Sequence, residues 1–238
     1  HRPEPRPRTG PRRPLHLPHI ELSNGDVEIR SPLSFGAAHV PPHFLSLNGQ
    51  FGYDDDGTTW KVDVARLSWS GNAPDLTMES LTGSFANEAG DLVFDRLSVQ
   101  TPKSAFVLNG RVDRTPGPAV FDLQVNAARF AFQEWSGVLN GLKNIAVEAA
   151  FDAKLTGPLS QFAVDLNMRS NGGNVRGPFV LDMTVPGWHG KGTVDLERLN
   201  LAHWLNREDR PSDISGRVEF DFALNLGHPP AGPYTFTG

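Results

Sequence analysis

The chain has 238 residues, 38% apolar and 21% charged, with 24 Gly, 20 Pro, no Cys and a formal net charge of −5. Such a composition can bury a sizeable core and is rich in turn formers, as in one all-β domain or a row of repeats. The missing cysteine excludes disulfides and thiolate-held zinc or iron–sulfur centres without choosing a compartment, and the mildly acidic balance argues against nucleic acid as a partner.

The first fourteen residues, HRPEPRPRTGPRRP, carry five Arg and one Glu, a net +4, which leaves −9 on the rest of the chain. Proline lacks the donor that helix and sheet ladders need, so residues 1–16 are expected to form an extended Pro/Arg-rich linker ahead of one repeated β domain at 17–238. The chain starts at His1 and has no apolar run of about 18 residues, so it reads as a fragment of a longer protein.

From residue 47 onward two short phrases alternate. The first is LNGQF at 47–51, LTGSF at 81–85, LNGRV at 108–112 and ISGRV at 214–218; the second is VDVARLSW at 62–69, LVFDRLSV at 92–99, VNAARFAF at 125–132 and VDLERLNL at 194–201. The arginines of the second phrase, Arg66, Arg96, Arg129 and Arg198, are separated by 30, 33 and 69 residues, and a decayed copy, FAVDLNMRS, lies near residue 164. A period of this size is the mark of stacked supersecondary units. DDDG at 54–57, NEAGD at 87–91 and DRTPG at 113–117 separate the two phrases, and these are turn compositions. Each unit therefore reads as strand, tight turn, strand.

Strict alternation supports strands elsewhere. Ile145, Val147, Phe151 and Leu155 share one parity, as do Phe162, Val164 and Leu166, and so do Val218, Phe220 and Phe222. Period two means one apolar and one wet face, and short polar turns leave no room for crossover helices, so the fold class is all-β, an antiparallel meander of hairpins. Within the second phrase the first apolar pair, as in Val62 and Val64, Leu92 and Phe94, or Val194 and Leu196, is out of step with the last pair. That slip predicts a β-bulge beside each arginine, with Arg66, Arg96, Arg129 and Arg198 at the rim of the apolar face. FQEWSGVLNGL at 132–142 and LAHWLNRED at 201–209 are expected as short helices that cover a sheet edge or end, with Trp135 and Trp204 as packing anchors.

Little in the chain points to chemistry. His16, His19, His39 and His43 sit among prolines without the companions a zinc site recruits, and Asp54, Asp55 and Asp56 lack the spaced ligands and closing Glu of a calcium loop and read as a hairpin tip. No nucleophile elbow, zinc-protease, phosphate-loop or dinucleotide signature occurs, so neither an enzyme nor a cofactor is expected. The repeated face itself is the candidate for function. A one-faced meander must fold onto a second sheet or curl into an apolar groove, and such a groove suits acyl chains. At about 0.8 kcal/mol per methylene, a chain of about sixteen carbons would need on the order of 12 kcal/mol to leave unaided.

The segment LPHIELSNGDVEIRSP at 17–32 behind a Pro/Arg-rich spacer, the recurring LNGxF and VDLxRLNL phrases, and RLNLAHWLNREDRPSDISGRVEFDF at 198–222 resemble AsmA-like and TamB-like proteins of Gram-negative envelopes, over about 17–226. The resemblance implies an inner-membrane anchor outside this fragment, a groove-shaped β-sheet in the periplasm, passage of phospholipid acyl chains to the outer membrane, and a part in assembling outer-membrane proteins. On that implication, the apolar-parity residues named above line the groove and the four arginines stand at its rim. An assembly scaffold without lipid conduction is the alternative.

Overall fold

A computed structural model describes residues 14–30, 34–35, 38–39, 41–114, 117–139, 142–184, 189–209 and 211–223. Its main element is one sheet of twelve strands in which every pairing is antiparallel: β1 (Leu15–Glu28), β4 (His43–Asp55), β5 (Trp60–Asn72), β6 (Leu76–Glu88), β7 (Asp91–Gln100), β8 (Ala105–Asp113), β9 (Val120–Ala131), β10 (Glu148–Pro158), β11 (Phe162–Ser170), β12 (Gly173–Asp182), β13 (His189–Leu199) and β14 (Ile214–Ala223). Strand order in space follows the chain, and the sheet does not close into a barrel: β1 and β14 are its edges. Between β1 and β4, β2 (Ser34–Phe35) and β3 (Ala38–His39) pair only with each other. The expected meander is therefore present. Strand pairing begins at Leu15, two residues inside the expected linker; residues 1–13, most of that linker, and 224–238 lie outside the described residues.

The expected turns fall between paired strands. At the tip of the β4–β5 hairpin, the Asp56 carboxylate accepts hydrogen bonds from the main-chain N–H groups of Thr59 (2.7 Å) and Thr58 (2.8 Å) and from both threonine hydroxyls (2.8 Å each). These donors, the Thr59 amide foremost, hold the Asp56 carboxyl well below the usual carboxylate range. DDDG is thus a hairpin tip closed by its own side chain.

The parity slip is present in all four arginine copies. Register shifts fall between Val64 and Leu67, between Phe94 and Leu97, between Ala127 and Arg129, and between Leu196 and Leu199. The decayed copy supplies an internal control. Aligning Val164–Asp165–Leu166 with Val194–Asp195–Leu196 puts Met168 where Arg198 stands, and β11 pairs with β10 and β12 with no register shift at all. Without the bulge, Met168 stays in phase with the apolar face and is 4% exposed.

The bulge is built jointly by the two phrases. Arg96 and Arg198 have φ of 46° and 51°. Their main-chain N–H groups donate to Asn109 Oδ1 (2.8 Å) and Ser215 Oγ (2.9 Å), the residues just before Gly110 and Gly216. β1 carries a third instance: Asn24, at φ 49°, donates its N–H to Asn48 Oδ1 (2.8 Å), next to Gly49. In each case the glycine pairs with the residue two before the bulge, as Leu22–Gly49, Phe94–Gly110 and Leu196–Gly216. IELSNGDV at 20–27 is therefore a fifth copy of the second phrase, with Asn in the arginine slot. At Arg96, Arg198 and Asn24 the slot has a left-handed backbone, a demand that Asn meets readily, whereas Arg66 and Arg129 keep negative φ at their bulges.

Several valines of the apolar face, Val64, Val99, Val112, Val164 and Val194, are only 5% to 8% exposed, although among the described residues the one other sheet is the four-residue β2–β3 pair. Side chains on a flat single layer would keep more of their surface in water. Here the sheet curls and its own face closes over them, with bulges supplying the local bend and added twist. The two expected helices are shorter than the sequence suggests. The first is one 3-10 turn at Phe132–Trp135, and the second is α1, Leu201–Trp204. Both runs are cut by turn residues, and α1 ends where Leu205 and Asn206 turn back on it.

Candidate functional site

One row of cross-strand partners crosses all twelve strands: Leu17, Tyr53, Val62, Phe85, Phe94, Gly110, Leu123, Leu155, Val164, Phe179, Gly192 and Phe220. At the strand spacing of a sheet it runs for about 50 Å. Directly opposed residues share a face, so this register assigns a continuous apolar side to the sheet. Of the sixteen residues read from the sequence as groove-lining, fourteen lie on that side: Val62, Val64, Leu92, Phe94, Phe151, Leu155, Phe162, Val164, Leu166, Val194, Leu196, Val218, Phe220 and Phe222.

Two glycines on this side are bridged by aromatic rings from the strands that flank them. Phe121 and Phe162 meet at 5.4 Å across Gly157, and Phe179 and Phe220 lie 6.3 Å apart across Gly192. A methyl group on Gly192 would overlap Phe179 Cβ and Cα. The rings thus fill the space that glycine leaves, so the face stays apolar where the sequence shows no side chain.

Ile145 and Val147 depart from the reading. They precede β10 in a segment drawn away from the ladder by a bond from the Ala146 N–H to the His203 carbonyl (2.9 Å). Val147 is 1% exposed and forms the centre of a small core with Ala149 and Met168, against which Phe132, Ile145 and Trp204 pack. These two residues fill the apolar face from outside the sheet. Their alternation continued that of β10 because the same side of the chain stays apolar after pairing stops.

Three of the four arginines, Arg66, Arg96 and Arg129, fall on the polar side of the sheet. Gln50 pairs with Arg66, Asp95 pairs with Ser84 and precedes Arg96, and Ala105 pairs with Arg129, all in phase with the polar side of the sheet. Arg66 and Arg96 lie in the middle of β5 and β7, so the bulges project them outward from the back of the sheet, and the Arg96 side chain is 83% exposed. A bulge adds one residue between two that face inward, and both intervening side chains then point out.

The polar side carries cross-strand ladders. Arg217 donates to both carboxylate oxygens of Asp195 (2.9 and 3.3 Å), which lowers the Asp195 carboxyl and raises the Arg217 guanidinium. Beside them Arg176 donates to Asn167 Oδ1 (3.3 Å). Among the described residues no group of three or more His, Asp or Glu is placed to hold a metal ion, and no helix is long and apolar enough to cross a membrane.

One end of the strands bears a lip that the sequence resolved only in part. Phe132, Trp135 and Trp204 from the two helical turns join Phe106, Phe130 and Phe151 in a chain of ring contacts with centroids 5.1 to 6.2 Å apart. Two polar clamps fix it. The Glu134 carboxylate accepts from the hydroxyls of Thr101 and Ser104 (2.6 Å each) and from the Lys103 N–H (3.0 Å), while Trp135 Nε1 donates to Ser104 Oγ (3.1 Å). On the other side Trp204 Nε1 donates to the Gly172 carbonyl (2.9 Å). Thr101 and Ser104 are fully buried, and no short motif announces them because their partner lies thirty or more residues away.

Comparison with family models, curated proteins and solved structures returns no match to this chain.

Proposed function

We infer that this chain is one section of a lipid-conducting groove, carrying phospholipid acyl chains between the inner and outer membranes of a Gram-negative envelope. The protein to which it belongs would be held at the inner membrane by an anchor outside these residues. The observation that carries this reading is the row of apolar residues and glycines from Leu17 to Phe220 on a sheet that, among the described residues, has no second layer beyond the four-residue β2–β3 pair. An apolar side of that length is unfavourable in water wherever the curled sheet leaves it part-exposed, and an acyl chain is an occupant whose contacts remain equivalent at every step along it. Phe179 and Phe220, which meet across Gly192, keep the contact surface apolar at that glycine step.

The test is native mass spectrometry of the gently purified protein, together with photo-reactive residues at Val62, Phe162 and Phe220. A mass increment of a diacyl phospholipid and lipid adducts at these positions are expected. Lipid-free protein without adducts at any of them would sink the reading. The assembly-scaffold alternative has one observation in its favour, the open edge strand β14, whose residues are mostly exposed and could pair with a strand of another chain. In that case adducts should be to protein and confined to β14.

A further inference from the structure

The lip makes the two edges of the apolar face unequal. Strand ends alternate between two sides of the sheet. On one side β6–β7 and β10–β11 are joined by short connections at Ala89–Gly90 and Leu159–Gln161. On the other, Phe132–Trp135, Ile145–Val147 and Leu201–Trp204 reach over the ends of β9 to β13 and pack onto Ala149, Phe151, Leu166, Met168 and Val175. Beneath them Ala149 and Met168 are 5% and 4% exposed, with Phe151, Leu166 and Val175 half-buried against them, whereas Phe121, Phe162, Leu181 and Phe222 near the hairpin side are half-buried without contact to that cluster. The lip is held at both ends, by the Glu134 clamp on the β7–β8 connection and by Trp204 on the β11–β12 turn.

We propose that this lip is a fixed barrier that closes one edge of the groove across β9–β13, so that a lipid passes with its acyl chain on the hairpin-side rows and its headgroup over the short turns, with Trp204 and Phe132 setting the path. This rests on the lipid-groove reading and adds an asymmetry to it. The physical basis is occupancy: the positions nearest the lip already have apolar partners at van der Waals distance, so an acyl chain gains nothing there without displacing three aromatic rings. Among the described residues the hairpin-side positions have no such cover, and burial by a ligand is favourable there.

The protein has no cysteine, so each introduced one is unique. Val175→Cys and Met168→Cys report beneath the lip, and Phe162→Cys and Leu181→Cys report at the hairpin side; thermal melts establish that each variant folds. With a soluble maleimide in lipid-free buffer, the first pair should react at least tenfold more slowly than the second. Trp204→Ala should bring Val175→Cys to within threefold of Phe162→Cys. Equal rates at Val175→Cys and Phe162→Cys in the otherwise unaltered chain overturn the barrier, whatever happens with lipid. In vesicles of phosphatidylethanolamine and phosphatidylglycerol, photo-adducts are expected at Phe162 and Leu181 and not at Met168. Adducts at Met168 as abundant as at Phe162 also overturn the barrier, while maleimide protection with no adducts anywhere keeps the barrier and removes the lipid reading instead.

Discussion

The main-chain N–H of Arg96 donates to the side-chain carbonyl of Asn109 at 2.8 Å, across the β7–β8 pair. Arg96 is there for its backbone: with φ at 46° its amide is turned out of the ladder and met by the residue that precedes Gly110. Replacing Arg96 by Gly, which adopts positive φ without strain, should leave the melting temperature unchanged or slightly raised, and Arg96→Val should lower it by several degrees. Comparison of the two by thermal denaturation separates a backbone role from a charge role; a large loss with Gly would point to the guanidinium.

Gly110 carries the other half of that device. Its φ is +125°, and a Cβ there would overlap the Asp122 carbonyl oxygen and stand 2.9 Å from Leu123 Cα. Gly110→Ala should cost about 1–3 kcal/mol from strain alone, and Asn109→Ala about 1 kcal/mol for the lost acceptor. Chemical denaturation of the two single variants and the double variant should give a non-additive total, because both act on one bulge.

Met168 occupies the arginine slot of a copy that has no bulge, and it is 4% exposed. Met168→Arg should not restore the bulge: Leu166 does pair with a glycine, Gly177, but the residue before it is Arg176, whose side chain offers no acceptor where Asn109 and Ser215 do. It should instead bury an unpaired charge, and such a change costs several kcal/mol. Loss of cooperative unfolding is the expected result, with Met168→Leu retained as a near-neutral control.

The Glu134 clamp should be visible in stability. Glu134→Ala leaves the buried Ser104 hydroxyl without its acceptor and the Thr101 hydroxyl with only the Ser104 carbonyl at 3.3 Å, at about 1–3 kcal/mol for the unsatisfied group. Hydrogen exchange at Thr101–Ser104 should rise first, and the strands β10 to β12 should retain protection.

Acid should loosen two specific places. The carboxyls of Asp56 and Asp195 are both held below their ordinary range, by the Thr59 and Thr58 donors and by Arg217 respectively. A depressed folded-state value means that the stabilisation is present above about pH 4 and is lost as pH falls through the folded-state value. Between pH 5 and 2.5 the denaturation midpoint should fall, and Asp56→Asn combined with Asp195→Asn should flatten that dependence. An unchanged slope in the double variant would assign the acid sensitivity to other groups.

What the sequence determined by itself was local and periodic. Turn chemistry at DDDG and NEAGD, period-two alternation from Phe162 to Met168, and the slip inside VDLERLNL each follow from the chemistry of a few adjacent residues. They were enough to give the meander, the bulges and fourteen positions on one face. The tertiary structure decided whatever depends on residues far apart in the chain. A bulge turns its extra side chain outward, so Arg66 and Arg96 stand in mid-strand on the back of the sheet. Asn24 joined the repeat only when its amide was found on Asn48, because there, as at Arg96 and Arg198, the shared feature is a left-handed backbone and not a charge. Ile145 and Val147 kept strand parity without being in a strand because His203, more than fifty residues on, supplies the carbonyl that holds Ala146. Alternation tells a residue which side it faces; only the fold tells it what stands opposite.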